Sequence, residues 1–235
     1  MKNISLILLL LTNIVVAQNA YNKKGNRHGK WTGIYDDTKN LRYEGEFNDG
    51  KEIGVFYLYD NTKKKVVLSI RDFSSNDGTA KETYFDQKGS KVSEGVSKNK
   101  KKIGKWIYYF KDSKSIMSEE NYVNGILEGQ SKTYFKNGNV LEEKSYKNNL
   151  LHGKYRRYAE QGILLHNLNY IEDKLHGPGE YYTSSGKIYT KGEYENNAKK
   201  GNWSVYDKNG NEVTLSKTQI TNPKRKTNKD QNKKN

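Results

Sequence analysis

Glycines followed by runs of aromatic and β-branched residues recur along the chain at Gly29, Gly54, Gly78, Gly104, Gly129, Gly153, Gly177 and Gly201, at intervals of 24 to 26 residues. The positions between them keep phase. A tyrosine stands five residues after the glycine at Tyr59, Tyr109, Tyr134, Tyr158, Tyr182 and Tyr206, and one position later at Tyr35 and Tyr84. Another aromatic stands seven residues before the next repeat glycine at Phe47, Tyr122, Tyr146, Tyr170 and Tyr194. A second glycine series follows at Gly89, Gly138, Gly162, Gly186 and Gly210. Three phases of one period define one structural unit used about eight times.

Two turn signals divide each unit. Asn137-Gly138 and Asn209-Gly210, with Gln161-Gly162 and Ser185-Gly186 at the same phase, have the form of tight hairpin turns with positive φ at their central residues. The other turn places Gly50, Gly125, Asn149, Asp173 or Asn197 three residues after the aromatic anchor, all of them residue types that tolerate the left-handed region. Two turns per period leave segments of roughly six to nine residues, the length of strands and too short for ordinary helices. Segments such as Lys105 to Phe110 and Val55 to Tyr59 are rich in aromatic and β-branched residues. The unit is therefore a β-hairpin. The predicted fold is all-β, an elongated single-layer antiparallel meander of about eight hairpins. The third unit departs from the pattern. Gly78-Thr79-Ala80 lacks the aromatic, and Val66 to Phe73 breaks phase, so a bulge or weak packing is expected there.

Within the first strand of each unit, the residue two after the glycine is Trp31, Phe56, Trp106, Tyr155 or Trp203. It lies an odd number of positions from the tyrosine five after the glycine, so the two series face opposite sides of a regular strand. A single-layer sheet then carries aromatics on both faces. Trp31, Phe56, Trp106, Tyr155 and Trp203 are accordingly the candidate interaction surface, an exposed strip rimmed by lysine. The competing arrangement is a curled sheet that packs both series into one core.

The stretch Tyr43-Glu44-Gly45-Glu46-Phe47-Asn48-Asp49-Gly50-Lys51-Glu52-Ile53-Gly54 resembles the MORN repeat, and the recurring Gly-Lys-Trp/Tyr, Tyr and Asn-Gly pattern is similar to the MORN variant of the YwqK-type antitoxin family. The resemblance covers roughly residues 21–215. It implies an all-β repeat sheet and a role in protein or lipid association.

Composition by itself would describe an unfolded chain. Leu, Ile, Val and Phe make up about a fifth of the residues, many of them near the N-terminus, and the net charge is +15. The 19 Tyr, 3 Trp and 6 Phe supply the counterweight, because each aromatic ring buries a large area. Lys2, the apolar run Ile4 to Val16 and the small exit at Ala17 have the form of a secretory signal, so residues 1–17 are expected to be cleaved after Ala17. The predicted product is exported, to the periplasm or the exterior, with no transmembrane helix in the mature chain. Residues 18–215 form the repeat domain, and residues 216–235, with seven basic side chains against Asp230, read as a disordered basic tail.

Candidate chemistry is sparse. No Cys is present, which removes disulfides and thiol catalysis. His28, His152 and His176 each precede a repeat glycine, which makes them turn residues, and His152 and His176 would lie about one hairpin apart, too distant to share a metal. His166 is out of phase and reads as a partly buried strand residue. Adjacent pairs such as Glu119-Glu120 and Glu142-Glu143 point to opposite faces of a strand and cannot flank one scissile bond. Known nucleophile and phosphate-loop motifs are missing. The expectation is a non-catalytic chain with no catalytic residue, cofactor or metal. Its first functional reading is an exported scaffold that contacts an unidentified protein partner through its sheet face. A second is binding to anionic lipid or lipopolysaccharide through Lys98, Lys100, Lys101, Lys102 and Lys105 with Lys224, Arg225 and Lys226 of the tail. A third is a wall-glycan module, since aromatic hairpin repeats also resemble choline-binding wall repeats. Nucleic acid is not an expected partner, given the export signal.

Overall fold

The computed structural model describes residues 18–213. The expected leader at 1–17 and the tail at 216–235, with Lys224, Arg225 and Lys226, lie outside the described residues. Every regular element described is a strand, as the two-turn period requires. The chain divides into two compact units, one running to Ile116 and including Tyr122–Gly125, the other made of Met117–Asn121 and the residues from Ile126 onward.

In the first unit, β1 (Ala20–Tyr21), β2 (Arg27–Ile34), β3 (Leu41–Asn48), β4 (Lys51–Tyr59), β5 (Val67–Asp72), β6 (Thr79–Phe85), β7 (Lys91–Lys98) and β8 (Lys101–Tyr109) each pair antiparallel with the next in sequence. Strand β9 (Ile116–Val123) carries residues of both units. The second unit continues with β10 (Ile126–Leu127), β11 (Gly129–Tyr134), β12 (Val140–Lys147), β13 (Leu150–Tyr158), β14 (Leu164–Ile171), β15 (Lys174–Leu175), β16 (Gly177–Tyr182), β17 (Ile188–Glu195), β18 (Ala198–Tyr206) and β19 (Glu212–Val213). Its antiparallel pairing passes from β9 to β11, through β12, β13 and β14 to β16, and on to β19. Each unit is an open hairpin sheet.

The turn after the aromatic anchor is left-handed as expected, but the tight hairpin turn lies there and not at Asn137-Gly138. The type I′ signature, two successive residues at positive φ, belongs to the turn after the aromatic anchor: Asp49-Gly50, Asn99-Lys100, Asn124-Gly125, Asn148-Asn149, Glu172-Asp173 and Asn196-Asn197. At the Asn137-Gly138 turn only the glycine has positive φ, Gly138 N–H bonds to the Phe135 carbonyl, and the register shifts beside it between Thr133 and Tyr134. That is the longer loop closed by a glycine bulge. The repeat glycine makes a second irregularity. Lys144 pairs with Tyr155 and Tyr146 with Leu151, so two steps on β12 face four on β13 around Gly153, whose φ is 103°. The extra residues bend the strand and increase its twist.

The third unit carries the expected irregularity where β5 meets β4, between Leu58 and Tyr59, and another where β6 meets β7, between Tyr84 and Phe85, while its β5–β6 pairing has none. Ser69, Ile70, Arg71 and Asp72 pair in unbroken register with Tyr84, Thr83, Glu82 and Lys81. A buried polar network stands where rings pack elsewhere. Arg71 bonds Glu52 at 2.9 Å and Glu82 at 3.3 Å, and Ser97 donates to Glu82 at 2.5 Å. Ala80 is fully buried beside it.

In the second unit one row of directly opposed residues crosses seven strands between β9 and β17: Glu119, Lys132, Glu143, Arg156, Asn167, Glu180 and Lys191. Signs alternate along this row except at the neutral Asn167, which makes its charged cross-strand steps attractive. Glu143 lies 3.0 Å from Lys132 and 3.4 Å from Arg156.

Candidate functional site

The five rings expected to form an exposed strip do not form one. Trp31, Phe56 and Trp106 are 8%, 2% and 1% exposed, and Tyr155 and Trp203 are half-buried. The reason lies in the neighbouring strand. A β-carbon built on Gly45 would run into the Phe56 ring, one on Gly95 into the Trp106 indole and one on Gly192 into the Trp203 indole. Each ring therefore lies flat over bare backbone. A cation four residues earlier covers the other face of each tryptophan: Arg27 at 5.3 Å from Trp31, Lys102 at 4.5 Å from Trp106, and Lys199 at 4.1 Å from Trp203. The indole N–H groups bond to the carbonyls of Ala20, Val96 and Glu193. Trp106 combines all three, glycine below, a cation above and a carbonyl at the edge, and is buried without a second layer.

The two aromatic series do lie on opposite faces of the sheet. Tyr21, Trp31, Phe47, Phe56 and Phe73 form one edge-to-face series, with centroids 5.0 to 6.0 Å apart. On the other side Tyr59 donates to Glu44, Tyr109 to Glu94 and Tyr158 to Glu143. His166 is a half-buried β14 residue packed 5.1 Å from the Tyr181 ring, and burial lowers its pKa.

The first unit carries a cleft of about 840 Å³ on the ring-bearing face. Tyr21 of β1 and Lys100 of the turn after β7 both line it. On a flat sheet six strand spacings would separate these strands by roughly 30 Å, so a single cleft reaching both is the concave side of a curved sheet. Its walls combine Tyr21, Phe47 and Phe73 with Arg27, Lys51, Arg71 and Lys100, against the single carboxylate of Glu52. A smaller cavity of about 240 Å³ shares Arg27, Phe47, Glu52 and Arg71 with it and adds Arg42, Tyr43, Phe56 and Leu58. Three arginines lie in residues 18–116, and all three line these two cavities. Each is stacked on a ring: Arg27 at 5.0 Å from Phe47, Arg42 at 5.5 Å from Tyr43, and Arg71 at 5.0 Å from Phe73.

Of the lysines expected at an anionic surface, Lys98, Lys100, Lys101 and Lys105 are exposed. Lys102 is not part of that group. It is half-buried, donates to the Tyr108 hydroxyl at 2.6 Å and stands over three rings. Sequence reasoning missed Arg27, Arg42 and Arg71. A signal for Arg27 is present in Arg27-His28-Gly29-Lys30-Trp31, where a cation precedes tryptophan by one bulged turn; Arg42 and Arg71 come to the cleft only through tertiary pairing. Among the described residues no group of three or more His, Cys, Asp or Glu is placed to hold a metal ion, and no helix is long and apolar enough to cross a membrane. No family model and no curated protein matches the chain.

Proposed function

We propose that this chain is an exported, non-catalytic scaffold of MORN-like hairpin repeats that holds a protein partner against the concave face of its first unit. The observation that carries the reading is the cleft itself: an open, preformed concavity combining exposed aromatic edge, as at Tyr21, with arginine, the side-chain types enriched at the centres of protein interfaces. The ring stacks hold its side chains in place before any partner arrives, which reduces the ordering cost of association. A photo-crosslinking phenylalanine analogue at Tyr21, in the cleft, is expected to capture a protein in the producing cells. The same analogue at Val55, which lines a hollow with Glu44 and Tyr57 on the other face, is the control. Equal labelling at both positions, or none at either, rejects the reading.

The lysine turn supports the second reading, attachment to anionic lipid or lipopolysaccharide. Lys98 and Lys101 are directly opposed across it, which concentrates positive charge at one rim. Salt separates the two readings: surface attachment falls steeply between low and moderate ionic strength, whereas a partner anchored on rings is retained. The wall-glycan reading has less to rest on in the first unit, where Trp31 and Trp106 are buried, and would depend on the half-buried Tyr155 and Trp203.

A further inference from the structure

We propose that the arginine-lined cleft of the first unit is a docking groove for an extended acidic segment of the partner, with its carboxylates received by Arg27, Arg42 and the Lys100 turn. This rests on the scaffold reading and names the chemistry of the partner. Charge complementarity selects the occupant. Arg71 is already committed to Glu52 and Glu82. Arg27, Arg42, Lys51 and Lys100 make no ion pair among the described residues. Arg27, Arg42 and Lys100 therefore present unpaired positive charge above an aromatic floor, while Lys51 acts on the Asp49 carboxylate beside it. A guanidinium stacked on a ring keeps its in-plane N–H fork, the geometry that receives a carboxylate with two parallel hydrogen bonds.

The Lys100 turn adds an independent observation. Lys100 holds φ at 63° in a position where the corresponding turns use Gly50, Gly125, Asn149, Asp173 and Asn197. Lys98 and Lys101 meet as like charges on opposed strands beside it. Both choices work against local stability, and both concentrate cations at one end of the groove. Local rules broken together in this way are expected where a ligand compensates. The smaller cavity shares four residues with the larger one, so the site is long as well as charged and suits an extended segment with side chains in successive hollows. A bilayer presents a headgroup plane that does not enter a concavity, which favours a peptide.

The test uses the full chain and a short fluorescent peptide alternating aspartate and phenylalanine, with its asparagine counterpart as control, read by anisotropy. The acidic peptide is expected to bind at least about tenfold tighter than the control, and Arg27→Gln and Lys100→Asn each to weaken it by about tenfold. Lys100→Asn is also expected to raise the thermal midpoint, because asparagine suits the left-handed position. Weaker binding by a more stable protein separates recognition from folding. Equal affinity for the two peptides, or affinity unchanged in both variants, overturns the proposal. So does binding to phosphatidylglycerol vesicles that excess peptide does not displace, which assigns these cations to a membrane. If Tyr21 crosslinks a protein while the acidic peptide does not bind, the scaffold reading stands and the acidic groove fails.

Discussion

The Trp106 indole lies directly over Gly95 of the neighbouring strand, so close that the glycine has no room for a β-carbon. Lys102 and Tyr84 close the remaining sides at 4.5 and 6.2 Å. The same pairing of ring and glycine joins Phe56 to Gly45 and Trp203 to Gly192. Gly95→Ala is expected to cost about 1–3 kcal/mol, as overpacked cores do, measured by denaturant unfolding. In a Trp106→Leu background the same alanine should cost less. Equal cost in both backgrounds would show that the ring is not what excludes the methyl group.

Turn side chains tie successive hairpins together. Asp173 accepts the Leu151 N–H at 2.7 Å, and Asn149 and Asn197 do the same for Leu127 and Leu175 at 2.8 Å. Asp173→Gly keeps the left-handed backbone and removes only this bond, so it should lose about 1 kcal/mol and speed amide exchange at Leu151. Asp173→Asn retains an acceptor and should leave both unchanged.

Alkaline pH should unfold the protein over a defined window. Burial first, and then the hydrogen bond to a glutamate, push the hydroxyls of Tyr59, Tyr109 and Tyr155 from 10.0 up to about 12. A raised folded pKa contributes stability that is fully present below pH 10 and is lost between about pH 10 and 12 as the unfolded chain ionises first. Phenolate absorbance and circular dichroism should change together there. Glu94→Gln should bring the Tyr109 hydroxyl back toward its ordinary value and so shrink its share of the alkaline loss, with the onset left near pH 10.

Acid acts with the opposite sign. Hydrogen bonds from Lys91 and then Tyr109 hold Glu94 below its ordinary 4.5, and those from Asn167 and Tyr182 do the same for Glu180. Their contribution is present above pH 4.5 and disappears as pH falls through the lower folded values. Urea midpoints recorded downward from neutrality should decline only below that point. Asn167→Leu should flatten the Glu180 share of the decline.

Anchor rings should matter according to their neighbours. Tyr170 is half-buried against Tyr155 at 5.8 Å, whereas Tyr21 is 65% exposed at the first strand. Tyr170→Ala is expected to cost roughly 2–4 kcal/mol and Tyr21→Ala under about 1, by thermal or urea unfolding. Comparable losses would contradict a stack in which inner hairpins hold more than outer ones.

Much of this architecture was legible from residue order alone. Strand length follows from how closely the turns recur, and turn position follows from Gly50, Asn149, Asp173 and Asn197, because backbone at positive φ excludes most side chains. The two aromatic series fall on opposite faces because Phe56 and Tyr59 are an odd number apart on β4, and the extra residue at the nearby register shift lies on β5. Which turn is the tight one was misread, since Asn137-Gly138 and Asn148-Asn149 both suit left-handed backbone and only the pairing register distinguishes them. Burial of Trp31, Phe56 and Trp106 was hidden because it depends on Gly45 and Gly95, on the cations beside the rings, and on strand registers that join residues about ten apart. The gathering of Arg27, Arg42 and Arg71 around one cleft came from sheet curvature, which accumulates through strand twist and bulges and has no local signature. Periodic local chemistry thus determined the hairpins, and only their stacking in three dimensions decided which rings became core and which cations came to share a groove.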